Sequence, residues 1–189
     1  MAFFMRYLLK ISAFLLLLCV TTFASAASSI NIKSAELQLL DEHYSLSTDV
    51  EFAFDNEIEE AINKGVPLNF LVEFQIVSPR QYWFDDEIVT TSQNIMLSYH
   101  ALTKQYLVNR GVHQKSFETL NEAKQELAQL SDWKVLEKTL LEKSEVYNAA
   151  LLIRLDQTKL PKAIQVDTIA SEKWNLTSQK FEWALKDIK

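Results

Sequence analysis

The chain has 189 residues, a formal net charge of −6 and a single cysteine, Cys19. An acidic chain without basic runs is unsuited to nucleic acid or to anionic membrane surfaces, which call for clustered Lys and Arg. With only Gly65, Gly111 and three prolines against 48% hydrophobic residues, the composition is the opposite of a disordered or linker-like segment.

The first residues follow the secretory pattern. Arg6 and Lys10 precede an apolar run from Ile11 to Phe23, and Ala24-Ser25-Ala26 supplies small residues for cleavage. The expectation is a signal peptide over 1–26, cleaved after Ala26, and one globular domain over 27–189. The alternative is an uncleaved anchor, for which the run is short and the following Ser28, Ser29 and Asn31 are a poor stop-transfer patch. Cleavage removes the cysteine and two basic residues, leaving 17 basic against 25 acidic residues. A domain of that kind has no disulfide and must be held by its core.

Along the chain, Leu46, Thr48, Val50, Phe52 and Phe54 alternate with Ser45, Ser47, Asp49 and Glu51, the period of a half-buried strand. Ile30 to Leu40 has the same character with a phase change near Ser34-Ala35, and Asp41-Glu42-His43 reads as the joining turn. A short helix is expected next, with Asn56 as N-cap, Glu59 completing a capping box, Ile58, Ala61 and Ile62 on its apolar face, Gly65 just beyond its end and Pro67 as stop.

Leu68, Phe70, Val72, Phe74 and Ile76 mark a strand whose other face carries Leu71 and Val77, the pattern of a central strand covered on both sides. After Pro79 and the aromatic stretch Tyr82-Trp83-Phe84, an extended segment from Ile88 is the expected hairpin partner. Ile95, Leu97, Tyr99 and Ala101 keep the period of two, whereas Leu102, Tyr106 and Val108 fall in the other phase. That implies a long strand with a bulge near Thr103, or else a helix.

Phe117, Leu120, Ala123, Leu127 and Leu130 lie at helical spacing, predicting an amphipathic helix that ends near Ser131-Asp132. Tyr147, Ala149, Leu151, Ile153 and Leu155 mark a late strand, and Trp174, Leu176, Phe181, Trp183 and Leu185 a final strand or hairpin. The whole reads as a mainly β chain, a β-rich α+β domain: an antiparallel, immunoglobulin-like sandwich with two inserted helices. A single curved sheet with helices on one face is the rival.

Chemical motifs are few. With Cys19 lost, cysteine catalysis is excluded, and no Gly-x-Ser-x-Gly elbow appears. His43, His100 and His113 fit no zinc-ligand spacing, and Asp85-Asp86-Glu87 lacks the spacing of a calcium loop. No catalytic residue, metal or cofactor is therefore expected. Arg80-Gln81-Tyr82-Trp83-Phe84-Asp85 combines a guanidinium, aromatics and an acid, the composition of a binding hot spot when exposed and of a core strand when buried. Arg80, Tyr82, Trp83 and Asp85, with Tyr99 and His100, are thus the candidate interaction surface.

Several runs together resemble a family of small secreted proteobacterial proteins that carry a domain of unknown function. They are Glu60-Ala61-Ile62 with Gly65-Val66-Pro67-Leu68, Arg80 with Tyr82-Trp83 and Asp85, and Leu97 to Thr103 with Gln105-Tyr106. Ser116-Phe117 with Leu120, and Arg154-Leu155-Asp156 with Leu160-Pro161-Lys162 and Trp174, complete the set. The resemblance implies a periplasmic location and, through genes found near a membrane sensor kinase, an accessory role in envelope two-component signalling.

The reading is a non-enzymatic periplasmic interaction domain with a protein partner in the envelope and no membrane span after cleavage. A small-ligand binder for apolar or lipid-like molecules, or a hydrolase, is the alternative, with Asp85, His100 or Asp156 as polar head-group.

Overall fold

The computed structural model describes residues 28–82, 84–142, 145–165 and 172–185. The expected signal segment and Trp83 lie outside the described residues. The elements are β1 (Ser29–Leu40), β2 (His43–Ala53), α1 (Asn56–Asn63), β3 (Leu68–Ser78), β4 (Asp86–His100), β5 (Gln105–Arg110), β6 (His113–Phe117), α2 (Leu120–Ala128), β7 (Gln129–Glu137), β8 (Tyr147–Leu155) and β9 (Phe181–Leu185). Two antiparallel sheets result, ordered β1-β2-β7 and β6-β5-β4-β3-β8-β9. The described residues therefore form the expected antiparallel sandwich, with α1 and α2 inserted between strands.

The β1–β2 hairpin turns at Asp41, whose φ of 54° suits a short polar side chain. The phase change anticipated near Ser34-Ala35 is a register shift between Ile32 and Ser34. Lys33 is the extra residue, so Ile30 and Ile32 before it and Ala35 after it all face the core.

Helix α1 starts one residue earlier than its sequence suggests. Asp55, not Asn56, is the N-cap, and its Oδ1 accepts from the Ile58 N–H at 2.9 Å. Both residue types can cap, but the aspartate adds a negative charge at the positive end of the helix. The shift dissolves the expected capping box, and Glu59 instead pairs with Lys124 of α2 at 3.1 Å. The other end follows the Schellman pattern: Val66 N donates to Ala61 O at 3.0 Å and Gly65 N to Ile62 O at 2.8 Å. Gly65 sits at φ 89°, and a Cβ there would meet nothing closer than 3.9 Å, so conformation rather than space selects glycine.

β3 is central, flanked by β4 and β8, with Leu68, Phe70, Val72, Phe74 and Ile76 buried. β4 ends at His100; instead of a bulge near Thr103 the chain makes a four-residue turn, 101–104, with Lys104 at φ 54°. The reversed phase of Tyr106 and Val108 is thus that of a new strand. β5 and β6 form a further hairpin through Gly111 at φ 57°.

α2 is capped by Thr119 and Glu122 in a reciprocal capping box and ends at Ala128, earlier than expected. The Ser131-Asp132 region belongs to β7, which continues directly from the helix. Aromatic rings join the sheets: Phe52 meets Phe70 at 5.2 Å and Trp133 meets Phe74 at 6.4 Å between centroids. Trp174 and Leu176 are buried, and Ser178 Oγ accepts from Ile153 N at 3.1 Å, tying that segment to β8.

Candidate functional site: an apolar end rimmed by acids

The β3–β4 connection is the least paired part of this hairpin. Ser78 and Asp86 are the last register partners, leaving the described residues 79–82, 84 and 85 outside the ladder. Arg80 fastens the base of the loop: its guanidinium pairs with the Asp86 carboxylate, and its main-chain N–H donates to Asp85 Oδ1 at 3.2 Å. Above that clamp Tyr82 and Phe84 project, 88% and 90% exposed. Both are amphipathic or apolar rings presented to water, which costs solvation free energy unless something covers them.

Other exposed apolar residues share that end. Because Phe52 faces Phe70 and Trp133 faces Phe74, β2 and β7 lie alongside β3 with the β1–β2 turn at the loop end. Lys138 N donates to Glu42 O at 2.9 Å, which brings the segment after β7 to the same place. Asn148 pairs with Val77, so Val146 stands there as well. Leu40, Tyr82, Phe84, Leu140 and Val146, five of the seven large exposed hydrophobic residues described, are therefore at one end of the sandwich. Around them stand Asp41, Glu42, Asp85, Asp86, Glu87, Glu142 and Glu145 against Arg80 and Lys138 among the described residues. Among the described residues this end thus carries exposed apolar side chains together with an excess of acids.

Asp85 also borders a groove of about 390 Å³ on the outer face of the larger sheet, lined by Gln75, Val77, Asn148, Ala150, Lys180 and Glu182. Its floor is the half-covered face that Leu71 and Val77 announce in the sequence.

Tyr99 and His100 are elsewhere. They close β4 at its far end, thirteen residues beyond Asp86, about 40 Å along a strand. Tyr99 is half-buried against Tyr106, ring centroids 4.9 Å apart, and Tyr106 donates to Asn63 Oδ1 at 2.6 Å. The His100 Nδ1 lies 3.1 Å from Thr103 Oγ1 and accepts from Thr103 N at 3.4 Å, closing the 101–104 turn. The six sequence candidates thus do not form one patch. Arg80, Tyr82 and Asp85 share a loop, Trp83 lies outside the described residues, and Tyr99 and His100 shape a distant turn.

Asp156 caps the turn at residues 157–159, accepting from Thr158 N at 3.1 Å and from its hydroxyl at 2.6 Å. The hydroxyl hydrogen bond, helped by the backbone N–H, Lys159 and Arg154, holds its carboxyl below the usual aspartate value. Arg110 is the other perturbed group of interest. Burial lowers the pKa of its guanidinium, opposed by Glu126, whose Oε1 lies 3.3 Å from it. Sequence patterning missed Arg110, because it sits on an unanticipated hairpin. Among the described residues, no group of three His, Cys, Asp or Glu side chains is placed to hold a metal ion.

No curated protein and no solved structure matches the chain. A protein-family model does, over residues 27–184, and on that match the chain belongs to the family described as Domain of unknown function (DUF4390).

Proposed function

We propose that this protein is a non-enzymatic accessory domain of the bacterial envelope that binds another protein through the apolar, acid-rimmed end of its sandwich. The observation that carries the reading is the β3–β4 loop, where a clamped base holds Tyr82 and Phe84 out in water. Aromatic residues presented on a fastened loop lose little conformational freedom on binding, which is how interface anchors act. The acidic rim selects the partner's chemistry: an apolar cleft bordered by Lys or Arg.

A periplasmic setting is supported by the secretory pattern of residues 1–26, and the family match begins at residue 27. A membrane sensor kinase is the first partner to test, on the gene neighbourhood that the family resemblance implies.

A photo-crosslinking residue placed at Tyr82 in cells tests the reading, with the same residue at Leu102 on the opposite end as control. One discrete adduct from position 82 and none from 102 is the expected result. Equal, diffuse adducts from both positions would overturn it.

A further inference from the structure

The two sheets are of unequal width, and the difference leaves one lane open beside β1. The smaller sheet ends at β1, which lies against β8 of the larger sheet, and β9 continues the larger sheet one strand further. The inward-facing Phe181, Trp183 and Leu185 of β9 are register partners of the buried Leu151, Ala149 and Tyr147. Among the described residues no strand of the smaller sheet lies above them. Trp183 leans over the small Ala149 towards Phe74, ring centroids 6.1 Å apart, yet all three β9 side chains stay only half-buried.

The opening is confined to one half of this seam. Ile30 and Ile32 in the first part of β1 are buried, as are Trp174 and Leu176, whose segment runs beside the end of β8. Past the bulge at Lys33, Leu37 and Leu39 are half-buried like the β9 residues. β1 runs towards Asp41 and β9 towards the Tyr147 end of β8, so the open half adjoins the end where Leu40 and Val146 are exposed.

The free edge of β1 is unguarded there. Edge strands are commonly blunted by lysine, proline or a bulge, and β1 has its bulge at Lys33, a lysine that pairs with Glu51 at 3.4 Å. From Ala35 to Leu40 no proline, lysine or further bulge follows. Alternate residues of that stretch turn their N–H and C=O groups away from β2. One added strand, about 4.8 Å beyond β1, would take those hydrogen bonds and cover Phe181, Trp183 and Leu185 with its inward side chains.

A second copy does not fit the lane. Pairing β1 with the β1 of another copy would bring that copy's β8 beneath it, into the position that β9 occupies. The occupant is therefore a single extended segment with no sheet of its own below it. Its charge follows from its neighbours, because from Ser34 to Glu42 the charged side chains are Glu36, Asp41 and Glu42.

We propose that β1 receives an extended segment of the protein partner as a fourth strand of the smaller sheet. The segment is about six residues long, apolar at alternate positions, with Lys or Arg on the face beside Glu36. The inference rests on the reading of this end as a protein-binding surface and specifies how the partner is held.

In cells expressing the full chain, a photo-crosslinking residue is placed singly at Gln38, exposed on β1, at Asp49, exposed on the interior strand β2, and at Tyr82. Positions 38 and 82 should give an adduct with the same protein, and position 49 none. Amide hydrogen exchange of the wild-type protein is then followed with and without that partner's isolated domain. The amides of residues 35–40 that point away from β2 should exchange at least tenfold more slowly in the complex. Leu39→Lys, which places a charge on the inward face of the edge at a half-buried position where lysine can still reach water, should weaken binding at least tenfold. An adduct at 82 without one at 38, or a complex that leaves the exchange of residues 35–40 unaltered, would overturn the added strand while loop binding stands. A position-38 adduct with a second copy of this chain would also overturn it, and no discrete adduct at either 38 or 82 would overturn both readings.

Discussion

Phe52 of β2 packs edge-on against Phe70 of β3, ring centroids 5.2 Å apart and planes inclined by 66°. The contact joins the smaller sheet to the central strand of the larger, and Phe54 stacks on the same Phe70 ring at 6.2 Å. Phe70 is fully buried, so truncation removes a ring that the surroundings cannot replace. Phe70→Ala should destabilise by about 3–5 kcal/mol. Reversible urea unfolding measures it, and a loss below about 1 kcal/mol would mean the sheets do not meet there.

The ends of α1 make a finer test. Asp55→Ala should cost about 1 kcal/mol, and Asn56→Ala should be nearly neutral, because only Asp55 accepts from the first turn. Gly65→Ala should cost about 1–2 kcal/mol, since alanine must enter the left-handed region at φ 89°. The opposite order of the two cap variants, read by chemical denaturation, would restore Asn56 as the cap.

Asp156 gives a pH dependence with a definite sign. Its carboxyl is held below the usual aspartate value in the fold, by Thr158 first, so the folded state favours the ionised form. The associated stability is complete above the unfolded aspartate pKa, about 3.9, and is lost as pH falls through the lower folded value. Asp156→Ala should cost about 1 kcal/mol at pH 7, and the gap from wild type should narrow below about pH 4. A gap that stays constant from pH 7 to pH 3 would remove the carboxylate from the account.

How much of this was legible in the sequence depends on how cleanly each segment keeps its period. Val50, Phe52, Phe70, Val72 and Phe74 alternate without interruption, and β2 and β3 fall where they point. Even the β1 bulge at Lys33 leaves its mark as a phase change. The β4–β5 turn is hidden because Lys104, not glycine, takes the left-handed position, and nothing in Leu102-Thr103-Lys104 announces a reversal. β7 is hidden because its bulge at Ser131-Asp132 breaks the alternation just after helical spacing ends.

The site was half legible for a related reason. Composition brings out Arg80, Tyr82 and Asp85, but exposure is set by the register that ends at Ser78 and Asp86. Leu40, Leu140 and Val146 join them only through the packing of β2 and β7 on β3, which no local pattern encodes. Tyr99 and His100 look equally promising in the sequence, yet the length of β4 carries them to the other end.

The proposed role of the β3–β4 loop as a protein-binding surface is tested most directly by the affinity of the crosslinked partner's isolated domain for wild type and two variants. Tyr82→Ser with Phe84→Ser should weaken binding at least tenfold, whereas Leu102→Ser at the far end should leave it within about twofold, with folding of each variant verified by its melting temperature. Wild-type affinity should also fall as salt is raised, because the acidic rim attracts a basic partner through water. Equal affinity of the loop double variant and the wild type would contradict the account.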